Sequence, residues 1–315
     1  MPVFIVDKPL GLSSHDVVAK TRKALKTKKV GHAGTLDPLA TGVLVILTEE
    51  ATKLSAYLSD SDKHYLAWVS FGAATETLDA EGPVTDASEA SSLNREDLAP
   101  ALLPFLKLDE QLPPQYSAIK KGGVKGYEAA RRGEQLDLPV RPAKYHQIEV
   151  LGFADSQPSL PRTFGLSPED FGWYPHKKGL TVDLPEPLGT YPTALIYLRV
   201  QAGTYIRAFA RDLGEALGVP AHLSGLVRTR AGTSGLERAV RLEAIAQSSG
   251  IPAVEALDYP KLKLSNEEVM RVRQGQRLRL NFKGRTVLTD KAGALVAIVE
   301  KQEGKMKLLR VWQGS

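Results

Sequence analysis

The stretch Gly31-His32-Ala33-Gly34-Thr35-Leu36-Asp37-Pro38-Leu39-Ala40-Thr41-Gly42-Val43-Leu44 decides how the chain is read. Three glycines and a proline within Gly31–Gly42 predict a loop, and the apolar run Val43–Leu47 predicts a buried strand after it. Asp37 thus lies in a glycine-bounded loop at the end of a sheet. A carboxylate there can be held rigidly and stay reachable, as a catalytic group must be. Asp-Pro is also a common turn pair, so Asp37 can equally serve only to open a turn.

Upstream, Ser13 and Asp16 have capping-box spacing, and Val17, Val18, Thr21, Ala24 and Leu25 recur at helical period. The other faces of this helix carry Lys20, Arg22, Lys23 and Lys26, with Lys28 and Lys29 just beyond. These are six cations in ten residues without an acid, a face turned either to solvent or to phosphate. Downstream, Ala51–Leu58 suggests a short helix, and alternation over His64–Phe71 puts Tyr65, Ala67, Val69 and Phe71 on one strand face. Lys121–Gly126 is a cationic, glycine-rich projecting loop. Seven of the 20 prolines fall in 153–193, which reads as an irregular insertion packed on a surface. Alternation resumes over Ala194–Gln201. Gly203-Thr204-Tyr205-Ile206-Arg207 then opens a helix whose core stripe is Ile206, Phe209, Ala210, Leu213 and Leu217. Beyond Pro260, a helix at Glu267–Arg273 and short strands separated by Gly275, Gly284, Gly293 and Gly304 predict a compact β-barrel of about 50 residues.

The 315 residues suit one large domain and a small one. Zero cysteines exclude disulfides, thiol nucleophiles and thiolate metal sites, and six scattered histidines show no metal-ligand spacing, so no metal is expected. No long apolar run predicts a membrane span or an export signal, so the expected location is the cytoplasm. The net charge of +5 is uneven: residues 261–315 carry 13 Lys and Arg against 5 Asp and Glu, and the remainder is slightly acidic. A basic module beside a near-neutral body favours a polyanionic partner, RNA or DNA.

Arg207, where a strand meets a helix, can pair with a carboxylate such as Asp37 or make a surface ion pair. At ~4 Å and an effective dielectric near 20 the former attraction is about 4 kcal/mol before desolvation. Tyr65 and Tyr205 are either base-stacking platforms or core tyrosines with tethered hydroxyls. His32 is either a stacking or wedge residue or a loop histidine bonded to backbone.

The run GHAGTLDPLATGVL resembles the catalytic motif of the TruB family of tRNA pseudouridine synthases, which acts on uridine-55 of the T-loop. Segments similar to that family follow one another in order at Asp7–Ser14, Asp60–Tyr65, Pro113–Gly123, Gly203–Gly218 and Leu226–Gly232. Only 153–193 departs from the pattern. The resemblance implies an α+β pseudouridine synthase fold, a mixed, largely antiparallel sheet flanked by helices, over 1–257. It also implies a PUA-like RNA-binding β-barrel over 258–315. It makes Asp37 the catalytic residue and Tyr65 the residue stacked on the target base. Arg207 becomes the partner of Asp37, Tyr205 and Leu226 line the uracil pocket, and His32 fills the space left by the flipped nucleotide. Lys8 and Pro9 support the site from beneath. It further implies cofactor-free chemistry by a monomer that needs no protein partner and binds tRNA through the T-arm and acceptor end. The other readings are a guide-RNA-dependent pseudouridine synthase subunit, which shares the aspartate loop, and a tRNA-folding chaperone that uses the same surface.

Overall fold

The elements that frame the Asp37 loop come from the first 48 residues of the computed structural model, which describes residues 1–117 and 119–313. They are β1 (Pro2–Lys8), α1 (Ser14–Ala24), β2 (Val30–Ala33) and β3 (Ala40–Thr48). The capping box forms as its spacing predicts: Ser13 Oγ accepts from Asp16 N, and Asp16 accepts from Ser13 N at 2.9 Å. The helix buries Val17, Val18 and Thr21.

The loop is shorter than its glycine content suggests. β2 and β3 pair antiparallel from Val30↔Thr48 to Ala33↔Val45, which leaves only residues 34–39 between strands. Gly42 lies inside β3 because a neighbouring backbone comes too close for any side chain. Its φ is +91°, and a Cβ there would stand 2.3 Å from the carbonyl oxygen of Arg228.

Further along are β4 (Lys63–Phe71), α2 (Arg95–Leu102), β5 (Tyr145–Ala154), β6 (Thr193–Val200), α3 (Ile206–Leu217) and β7 (Ala221–Ala231). The main sheet runs β5-β6-β4-β7-β3-β1, ending on the short strand Val240–Arg241, with β2 on β3. Pairing is antiparallel except between β7 and β3 and between β1 and Val240–Arg241. This is the mixed, largely antiparallel sheet with helices that the family resemblance implies. The parallel register Leu226↔Ala40 and Arg228↔Gly42 sets β7 beside the start of β3, and so beside the Asp37 loop.

Alternation along β4 divides its side chains between two cores. Tyr65, Ala67, Val69 and Phe71 pack with α1, α2 and α3 through Val17, Leu98, Phe209 and Leu213. Leu66 and Trp68 face the other way, where the proline-rich insertion covers the sheet with Phe164, Trp173 and Leu184. The insertion builds its own three-stranded sheet from Thr163–Leu166, Trp173–Pro175 and Leu180–Thr181, and Phe164 meets Trp68 edge-on at 5.8 Å between centroids.

The C-terminal segment contains β8 (Lys261–Lys263), α4 (Asn266–Arg273), β9 (Arg285–Thr289), β10 (Leu295–Gln302) and β11 (Lys305–Val311). The predicted closed barrel is corrected here: the strands pair as an open sheet in the order β8-β9-β10-β11. One side buries Leu264, Val269, Val272 and Val296 under α4. On the other, Val287, Ile298 and Trp312 join the core that holds Leu54, Leu58 and Leu257, so the larger body covers the apolar surface that closure would otherwise have to bury. Among the described residues no helix is long and apolar enough to cross a membrane.

His64, beside Tyr65 on β4, is buried, and its Nδ1 lies 2.7 Å from the Tyr197 hydroxyl. Burial lowers its pKa from 6.5 to about 4. The unfolded chain therefore takes up this proton first as pH falls. The stability linked to neutral His64 is complete above pH 6.5 and is lost toward pH 4, about 3 kcal/mol in all. Urea midpoints measured from pH 7 to pH 4 should fall accordingly, and His64→Gln should flatten the decline.

Candidate active site

Asp37 reaches into a cavity of about 770 Å³ that Tyr65, Tyr205, Arg207 and Leu226 also line. The sheet register and the first turn of α3 bring together these five residues from four separate places in the sequence. His32 is not on the cavity wall. Its ring packs edge-on against His15 at 5.6 Å, and it is His15 that lines the cavity. His32 lies on β2, paired with Ile46 of β3. Burial, followed by the nearby His15, keeps its imidazole pKa below the usual value.

The Asp37 carboxylate is 37% exposed, and Arg207 Nε lies 2.9 Å from its Oδ2 in an ion pair. The guanidinium itself is buried. Nη1 donates to Thr77 O and Nη2 to Tyr116 O, both at 2.9 Å. A second carboxylate, Asp79, stands 3.6 Å from the same Nε and is buried. Asp79 accepts from Thr77 Oγ1 at 2.5 Å and from Glu81 N at 3.0 Å, while burial pushes its carboxyl pKa up. Arg207 is thus held through its two Nη atoms by carbonyls, and it shares its Nε edge between Asp37 and Asp79. Sequence reading missed Asp79. Nothing local distinguishes it, since its position follows from a bridge to Leu223 of β7.

The loop is fixed from below by two buried cations. Arg228 donates to Gly34 O at 2.9 Å, Thr35 O at 3.2 Å and Val43 O at 2.7 Å. Lys8 directs its ammonium at Pro9 O, Leu12 O and Pro38 O, at 3.0, 2.5 and 3.2 Å. Burial lowers the Lys8 pKa to about 8. Ser14 Oγ accepts from Leu36 N at 2.8 Å and donates to Leu36 O at 3.0 Å. The backbone on either side of Asp37 is therefore tied down while the carboxylate faces the cavity.

At the rim, Tyr205 N donates to Gln111 Oε1 at 3.0 Å, which fixes the start of α3, and burial raises the Tyr205 hydroxyl pKa. The glycine-rich segment near the rim is a hairpin that turns at Gly122 and Gly123, both with positive φ. Replacing Arg228 with Met would leave the carbonyls of Gly34, Thr35 and Val43 without their donor. The expected loss in unfolding free energy is about 3 kcal/mol or more, with a smaller loss for Arg228→Lys, which lacks the planar fork. Urea titration of the two variants against the parent checks both.

A model of the TruB family pseudouridylate synthase N-terminal domain matches residues 22–164. The chain is 50% identical over 313 residues to tRNA pseudouridine synthase B of Thermus thermophilus, covering 99% of each chain. It is 49% identical over 312 residues to the protein of the same name from Deinococcus radiodurans, covering 99% of this chain and all of that one. Among solved structures, a Cbf5-Nop10-Gar1 complex aligns over 98% of this chain and 84% of the matched chain, with a TM-score of 0.66 at 24% identity, a likeness of fold. Near-complete coverage at this identity, on a sheet that assembles Asp37, Tyr65 and Arg207 around one cavity, places the chain in the TruB family of pseudouridylate synthases.

Proposed function

We propose that the protein isomerises uridine-55 in the T-loop of tRNA to pseudouridine, with Asp37 as the catalytic residue. The observation that carries this reading is the Asp37 carboxylate, half-exposed in the cavity and paired with a buried Arg207. The reaction breaks the C1′–N1 bond and makes a C1′–C5 bond, and the proton at C5 is exchanged for one at N1. It uses no oxidant and no group donor. A base stacked in the T-loop cannot reach Asp37, so it must swing out, at a cost of a few kcal/mol that stacking on Tyr65 and contacts with Tyr205 and Leu226 offset. Asp37 then attacks C1′ or C6, or removes the C2′ proton, and each route uses the same carboxylate in the same place. The detached uracil must rotate without escaping, which suits an enclosed wall of Tyr65, Ile206 and Leu226. Residues 258–315, proposed as a PUA-like RNA-holding module, add a basic surface for the acceptor end.

Tritium released from C5 of a labelled T-arm transcript, with neither guide RNA nor a partner protein present, tests reaction, target and independence together. Asp37→Asn should lower release by at least about 10³-fold with affinity nearly intact, and parent-like turnover in that variant would overturn the assignment. Asp79→Asn should lower turnover by about 10²-fold with a smaller change in affinity, since it loosens Arg207 rather than removing a group that touches the base.

A further inference from the structure

We propose that the cationic face of α1 and the turn after it form a docking surface for the phosphate backbone of the substrate's helical stem. The surface runs from the lip of the cavity to the basic C-terminal module. The inference rests on the tRNA reading above and adds the part of the protein that carries the stem.

Between Val17 and Lys29 there are six cations and no acid. The protein itself uses two of them: Arg22 Nη2 donates to Val30 O at 3.0 Å, and Lys29 pairs with Glu50 at 3.1 Å. Lys23, Lys26 and Lys28 are exposed and make no ion pair or side-chain hydrogen bond among the described residues. Lys20 is exposed as well and lies near Asp16, whose carboxylate accepts from Ser13 N and Oγ in the helix cap. Three or four like charges on a short surface repel one another, and Glu49, which accepts from Thr27 Oγ1, is a single carboxylate against them.

Lys26 adds an independent observation. It follows the helix C-cap Leu25 with φ at +51°, the left-handed position where glycine or asparagine is the low-cost residue. A lysine there costs about 1 kcal/mol in backbone strain. The turn that ends the helix fixes this backbone, and the choice of lysine over glycine or asparagine is accounted for if its side chain contributes to binding.

The ends of the surface supply its direction. His15, in the first turn of α1, lines the cavity, and ten residues of helix carry the surface about 15 Å away from it. At the far end Glu50 pairs with Lys29 and Lys53, and its carbonyl oxygen accepts from Trp312 Nε1 at 3.4 Å. The surface therefore meets the basic module where that module docks. The apolar stripe of α1 is buried in the core, which leaves no face for a lipid bilayer and favours a soluble polyanion.

The test compares the parent, the single variant Lys26→Asn and the triple variant Lys23→Ala/Lys26→Asn/Lys28→Ala for affinity to a T-arm transcript across a salt series, with steady-state kinetics and thermal melts. The triple variant should bind at least about tenfold more weakly at physiological salt. Its plot of log affinity against log salt should be shallower by about 2 to 3, and the kinetic loss should fall on KM more than on kcat. Lys26→Asn alone should keep or raise the melting temperature while weakening RNA binding. That separates docking from folding, because a residue kept for stability would show the reverse. An unchanged affinity and salt slope in the triple variant would overturn the inference. If the parent releases no tritium from the transcript, the tRNA reading fails on its own, and the salt slope on duplex RNA still decides the docking surface.

Discussion

Two buried cations under one short loop are the constraint on which the rest of this structure depends. Arg228 and Lys8 each direct three contacts to backbone carbonyls, and together these fall on both flanks of Asp37. A buried guanidinium or ammonium without such partners would be strongly destabilising, so the loop cannot relax without stranding the charges beneath it. Rigidity at the loop is therefore built from the cost of unpaired buried charge rather than from packing alone.

The same logic extends into the cavity. Arg207 is fixed by Asp79 and by two carbonyls before it meets Asp37, so the ion pair at the site is organised from its protein side. Preorganised charge of this kind needs no rearrangement when a substrate arrives. The outer surface is built differently. Lys23, Lys26 and Lys28 are exposed, make no ion pair among the described residues and in one case sit on a left-handed backbone, as suits groups whose partners lie outside the chain.

Much of this was legible in the sequence because the signals were local. The Ser13–Asp16 capping box, the alternation that sorts Tyr65 from His64 and Leu66, and the stripe on α3 each follow from side-chain periodicity, and each forms as expected. The glycine-rich loop was read as too long, because strand pairing over Gly31–Ala33 and Ala40–Gly42 depends on neighbours far away in the chain. The barrel expectation failed for a related reason. A run of short strands specifies a sheet, but whether that sheet closes depends on what covers its apolar face, and here that is the body around Leu54 and Leu257.

By itself the sequence determined the elements, the acid at the centre of the loop and the chemistry available without thiols, since these are properties of residue type and spacing. Tertiary structure alone set Asp79 against the Nε of Arg207 and placed Arg228 beneath the Asp37 loop. Those relations come from the parallel register of β7 on β3 and from a bridge between Asp79 and Leu223. Contacts between residues more than a hundred positions apart leave no periodic trace in a single chain.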